Sequence, residues 1–504
     1  MKGNNMSALS EKFNEYLKKM QYYEHANTLI YWDMKTGAPK RGLEALEDVT
    51  AYFSTESFAL STSDELGQML SGLSQPEEFE QLDGTMKFIV TKMKEDYDRD
   101  KRIPADFYEE YVRTVTASEN AWVDAKQNND FASFAPHLEK VIEATRKMTS
   151  YTDPDKEVYE ALLDEYEKGM DSATIDKLFD RMKEELIPLV KKISEAEKPD
   201  DSAFKSYYDP DAQRKVQKML LEYIGFDFAC GNVAESEHPF TLNFSSKDVR
   251  VTNHYKEDDA IDAMFTAIHE GGHAIFEQNV NPEYDGTVAG SCRYMGVHES
   301  QSRFYENILG RNRNFWVPIY GKLGELLPQF RQISLDDFER QINNVRSSFI
   351  RCSADELTYC FHIIIRYEIE KAIFRDNVPV SELPKLWNSK MEEYLGITPD
   401  SDTDGILQDT HWADGSFGYF PSYLLGTIYD GMYLEAVEKE LGPVDRLLAD
   451  GKIKDITKWL NEKIHRYGST RTPAEVIRNV CGREVSAEPI IKFFKEKYSR
   501  LYNL

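Results

Sequence analysis

Two histidines four residues apart with a glutamate between them, in the run His269-Glu270-Gly271-Gly272-His273, are the residues here best spaced for chemistry. On a helix, positions i and i+4 share a face. Both imidazoles then reach one zinc ion, while Glu270 turns aside toward a water bound there. Such an ion polarises a carbonyl and acidifies the water, and a neighbouring carboxylate takes the proton. A catalytic zinc needs three protein ligands and one open position. Glu299, near the start of the next helical stretch at 297–309, can supply the third ligand, with His298 beside it as support or packing. The alternatives are a solvated acid at Glu299 and, for the motif, a surface helix that happens to carry two histidines.

The elements that must position these groups are legible around them. Ile261, Met264, Phe265, Ile268, Ile275 and Phe276 recur at three- and four-residue steps and predict a helix over 261–277. Glu257, Asp258 and Asp259 suit its start, and Asn281, Pro282 and Gly286 stop it. Gly271 and Gly272 each cost a helix about 1 kcal/mol against alanine, which implies a close neighbour, either substrate or another helix. Before this helix, 238–244 and 248–254 alternate around Ser245-Ser246-Lys247 and predict a β-hairpin, the one clear strand signal. Its edge suits an extended peptide, and a purely structural hairpin is the alternative.

Farther on, 334–337 and 353–356 read as capping boxes. The second would place Arg351 just before a helix N-terminus, where a guanidinium and free N–H groups hold a carboxylate; pairing with Asp355 is the alternative. The segments 405–412 and 418–423 read as an ordered loop with Tyr419, Tyr423 and His411 as proton donors. In the N-terminal third, Phe13, Leu17 and Met20 keep helical register and the aromatics of 29–33 read as core. Pro188 predicts a kink in the helix at 172–193.

The whole chain is 504 residues with a formal charge of −27, which argues against nucleic acid or an anionic membrane as partner. Its hydrophobic content of 41%, with 29 Tyr and 27 Phe, suffices for a large core, and no apolar run reaches spanning length. The first twenty residues read as an amphipathic helix and not as a secretory signal, so a cytoplasmic location is expected. Cys230, Cys292, Cys352, Cys360 and Cys481 lack paired spacing and read as reduced thiols.

These segments together resemble the M32 family of metallocarboxypeptidases, the carboxypeptidase Taq group, nearly end to end. The resemblance rests on the Trp32-Asp33 region, His238-Pro239-Phe240, Asp248-x-Arg250-x-Thr252, His269-Glu270-x-x-His273, His298-Glu299-Ser300-Gln301, Arg351-x-x-Ala354-Asp355 and Gly405-x-x-Gln408-Asp409-x-His411-Trp412. It implies a mainly α fold: a single prolate helical body over 1–504 with a deep groove and a small β-sheet beside the zinc helix. Helices of 1–235 would form one side of the groove, and 236–504 would carry hairpin, zinc site and groove lining. It also implies one Zn²⁺ per subunit on His269, His273 and Glu299, with Co²⁺ as a substitute, homodimers, and removal of single residues from peptide C-termini.

On that reading Glu270 is the general base, and Tyr423 and His411 stabilise the oxyanion. A free terminal carboxylate needs a cation, with Arg351 the first choice and Arg250 the second; His238 joins the substrate-binding set. Arg303, one turn after Glu299, would repel terminal Lys or Arg. Two rivals stay open: a zinc oligopeptidase that cuts internally or releases dipeptides, and a helical binding protein with a structural zinc. The second would want a fourth ligand and would leave Glu270 idle.

Overall fold

Helices carry most of the architecture, and the ones that shape the cleft follow from their caps and apolar stripes. The computed structural model describes residues 7–291 and 293–504, so Met1 to Met6 of the amphipathic start and Cys292 lie outside the described residues. Helix α1 (Ala8–Thr36) is capped by Ser7, which accepts from the Ser10 amide, and buries Phe13, Tyr16 and Leu17. Trp32 is buried as expected, whereas Leu29 and Tyr31 of the same run are 50% and 43% exposed, the Tyr31 ring meeting Phe240 edge-on with centroids 5.7 Å apart. Helix α2 (Leu43–Ser61) buries none of its side chains. The helix Ser172–Glu195 continues through Pro188, with nine buried residues along one face to offset the proline. Helix α3 (Pro210–Ile224) starts on an Asp209 cap and ends at Gly225, whose φ of 110° suits glycine.

The predicted hairpin is present as β2 and β3 in a three-stranded sheet, whose strands are β1 (Gly231–Glu235), β2 (Thr241–Ser245) and β3 (Asp248–Asn253). The order is β1-β3-β2, with β3 antiparallel to β2, Thr241 opposite Val251, and parallel to β1. Strand β1 was not expected, since its short GNVAE run has no clear alternation. Helix α4 (Ala260–Gln278) follows, capped by Asp259, which accepts from the Asp262 amide at 3.1 Å.

Two further expectations need correction. The helix placed at 297–309 is α5 (Met295–Arg303) continued by a π-helical stretch, Phe304–Gly310. The box at 353–356 does not open a helix: α6 is Tyr359–Phe374, and Asp355, not Ser353, accepts from the amides of Leu357 and Thr358. Ser334 does cap its helix, accepting from the Asp337 amide. Helix α7 (Phe420–Leu441) then runs through the interior.

Among the described residues, most of the buried apolar side chains fall into two clusters. The larger includes α3 to α7 and the sheet. The smaller joins Phe13, Tyr16 and Leu17 of α1 to the helices Asp64–Leu73 and Gly84–Asp100, and includes Ala289 from the loop between α4 and α5. Among the described residues no helix is long and apolar enough to cross a membrane. The four described cysteines are free thiols.

Candidate active site

Close backbone approach sets the geometry of the site. A Cβ on Gly271 would stand 2.6 Å from Ile224 Cδ1 and 2.7 Å from Leu221 Cδ2, both on α3. A Cβ on Gly272 would stand 2.7 Å from the Gln301 carbonyl oxygen and from Ser302 Cα, both α5 backbone. The neighbours implied by the two glycines are therefore helices. On its other side α5 meets α7 at Gly426, where a Cβ would lie 3.0 Å from the Ser300 amide and 3.2 Å from Glu299 Cβ. Pressed between two glycine contacts, α5 holds Glu299 against α4.

There the rings of His269 and His273 stand 5.0 Å apart, and Glu299 Oε2 lies 3.6 Å from His273 Nε2. Ligand atoms of His269, His273 and Glu299 all lie within 4.8 Å of one another. His269 Nδ1 is 2.8 Å from Glu306 Oε2, which leaves Nε2 for an ion, and Glu306 is carried by the π-helical stretch. Burial opposes charge on His269, but the hydrogen bond to Glu306 and the surrounding carboxylates outweigh it and hold its pKa at about 9. Burial opposes ionisation of Glu306 as well, yet His269, Arg311 and Arg303 keep it down at about 2. His273 is held neutral by burial and by His298, His269 and Arg303, and His298 stacks on it with centroids 4.4 Å apart. Glu277 accepts from Asn243 of β2 and lies 2.8 Å from His298 Nε2, tying that ring to the sheet. Two imidazoles and a carboxylate are a donor set that suits zinc or cobalt, and among the described residues no fourth ligand completes a closed structural site.

A cleft of about 950 Å³ opens over this group, lined by residues between Pro239 and Tyr423. His269, Glu270, His273, Glu299, Arg303, Arg351 and Tyr423 all line it. Burial raises the pKa of Glu270, countered in part by His269 and by Thr241, whose hydroxyl lies 2.6 Å from its carboxylate. Arg303 donates through Nε to Glu299 Oε1 at 2.6 Å, and its guanidinium lies 3.9 Å from the Tyr359 ring centroid. One carboxylate oxygen of Glu299 is thus held by Arg303 while the other faces His273.

Arg351 does not pair with Asp355. It donates to Asp409 Oδ1 at 2.9 Å and to Tyr359 Oη at 3.0 Å, and Arg366 also donates to Asp409. Two guanidinium groups on one carboxylate leave a surplus positive charge at the cleft wall. Tyr423 keeps its proton, its pKa pushed well up by burial and by Tyr419. His411 stands behind it, Nε2 3.5 Å from Tyr423 Oη, its pKa lowered to about 4 by burial and by Arg351 and Arg366, which outweigh Asp409. Arg250 and His238 are not brought here. Arg250 donates to both oxygens of Asp248 and covers Phe244, while the His238 side chain is exposed and its carbonyl accepts from the Ser236 hydroxyl.

Glu306, Thr241, Glu277, Tyr359 and Asp409 were not assigned roles from sequence. Glu299, Arg303 and Glu306 at i, i+4 and i+7 form a polar stripe in an apolar stretch, a signal for Glu306; Thr241 and Asp409 act across long sequence separations.

A helical body with a small sheet, two helices crossing at glycine and a His–His–Glu cluster under a cleft define a metallopeptidase of the HExxH kind. The model of the carboxypeptidase Taq (M32) metallopeptidases matches residues 12–498, and the chain belongs to that family. It is 43% identical over 496 residues to carboxypeptidase 1 of Bacillus subtilis, covering 98% of this chain and 99% of that protein. It is 33% identical to thermostable carboxypeptidase 1 of Thermus thermophilus over 498 residues, covering 97% and 98%. Among solved structures, the M32 carboxypeptidase of Deinococcus radiodurans superposes with a TM-score of 0.95 at 29% identity, covering 99% of this chain and 100% of that one.

Proposed function

We propose that this protein is a zinc-dependent carboxypeptidase that removes single amino acids from the free C-termini of peptides, with Co²⁺ able to replace Zn²⁺. The observation that carries the reading is the pair Arg351 and Arg366 on the single carboxylate of Asp409, beside the His269–His273–Glu299 cluster. A divalent ion on His269, His273 and Glu299 supplies the Lewis acid that polarises the scissile carbonyl and acidifies a water. Glu270 takes the proton of the attacking water and delivers it to the leaving amine. Tyr423, with His411 behind it, donates to the developing oxyanion. Arg351 binds the terminal carboxylate, which sets the register of the peptide. Arg250 and His238, outside the cleft lining, take no part in this reading.

One unblocked peptide followed by mass spectrometry should shorten from its C-terminal end by one residue at a time, and its C-terminal amide should persist. Equal cleavage of the amide, or internal fragments, would favour the oligopeptidase reading. Chelator should abolish the ladder, and zinc or cobalt should restore it.

We also propose a bias against basic terminal residues, supported by Arg303 and Arg351 in the cleft; an Arg303→Met variant with an unchanged basic-to-neutral cleavage ratio would refute it. A homodimer is supported by α1 and α2, which expose Tyr22 by 67%, Tyr52 by 60% and Phe58 by 44%; a sedimenting monomer would refute it. The free thiols support a reducing, cytoplasmic setting.

A further inference from the structure

Thr241 opens β2 and lines the cleft. Its hydroxyl oxygen lies 2.6 Å from Glu270 Oε2 and 2.9 Å from the Glu270 carbonyl oxygen. A hydroxyl has one proton to give, and the carboxylate is both the nearer and the charged acceptor. Among the described residues no other side chain hydrogen-bonds this carboxylate. The donor stands on a strand laddered to β3 opposite Val251, and its β-branched side chain has little χ1 freedom, so the sheet gives the carboxylate carried by α4 a second, fixed anchor.

We propose that Thr241 is the positioning residue for the base: it occupies Oε2 throughout and leaves Oε1 to take the proton from water and return it to the departing amine. This rests on the reading of Glu270 given above. The donor would also suppress rotation of the carboxylate, so that substrate meets one fixed oxygen. A base aimed this way acts on turnover and not on binding of substrate or metal.

The test compares zinc-loaded wild type with Thr241→Val, Thr241→Ser and Glu270→Gln on one unblocked peptide, reading kcat, KM and zinc affinity. Thr241→Val should lower kcat by about 10- to 100-fold, the range typical of lost supporting hydrogen bonds, with KM and zinc affinity unchanged. Thr241→Ser should restore most of the turnover. The proposal is overturned if the valine variant turns over normally, if serine is as impaired as valine, or if the loss falls on KM or zinc affinity. Should valine fail to fold, Thr241→Ala and Thr241→Ser differ only in the hydroxyl, and equal kcat values would overturn it. Full turnover by Glu270→Gln would instead bring down the general-base reading itself.

Discussion

At the scale of single residues, the site works by splitting duties between oxygens of one carboxylate. Glu299 gives one to Arg303 and turns the other to His273, Asp409 serves two guanidinium groups, and Glu306 bridges His269 and Arg311. Arg351→Lys keeps a charge but loses the planar fork, so it should narrow the preference for free acids over amides by about tenfold, the worth of some 1.4 kcal/mol of carboxylate recognition. Competitive cleavage of a matched acid and amide checks this. Histidine spacing alone places His269 and His273 on one helical face, and that much was readable from sequence. Thr241 and Asp409 were not, because each meets its partner across tens of residues, 29 and 58 respectively, and no local pattern encodes that.

At the scale of elements, two glycine contacts decide how near α5 comes to its neighbours. Gly272→Ala would push its methyl into α5 backbone, which cannot rotate away, and should cost about 1–3 kcal/mol. Because α5 carries Glu299, zinc affinity should fall as well, and a metal titration with thermal melting reads both. The two glycines announced a close approach in the sequence without naming the neighbour. The π-helical stretch escaped notice because its apolar spacing also suits an ordinary helix, and β1 because a five-residue parallel strand has too little pattern.

A buried acid in α6 adds a pH dependence. Glu370 accepts from Tyr159, Trp412 Nε1 and the Gly418 amide, fastening the loop ahead of α7, and burial outweighs these bonds to raise its pKa from 4.5 to about 7. The folded chain therefore holds a proton that the unfolded chain has lost between those values. The stability it contributes is complete at acid pH and is lost as pH rises through about 7. Glu370→Gln should flatten the fall of melting temperature across that window, measured by calorimetry at stepped pH.

At the scale of the molecule, the helical class and the small sheet were legible from periodicity, while the division of the interior into two clusters was not, since it depends on which stripes meet. That division reaches the His269–His273–Glu299 group. The connection between α4 and α5 inserts Ala289 into the N-terminal cluster, and Arg293 just beyond it forms a two-pronged ion pair with Asp96. The segment that spaces His273 from Glu299 is thus moored to helices that supply no ligand. An ion gripped at one end should consequently slow amide exchange at the other: zinc added to metal-free protein should protect Asp64–Leu73 and Gly84–Asp100, and unchanged deuterium uptake there would show the mooring to be slack.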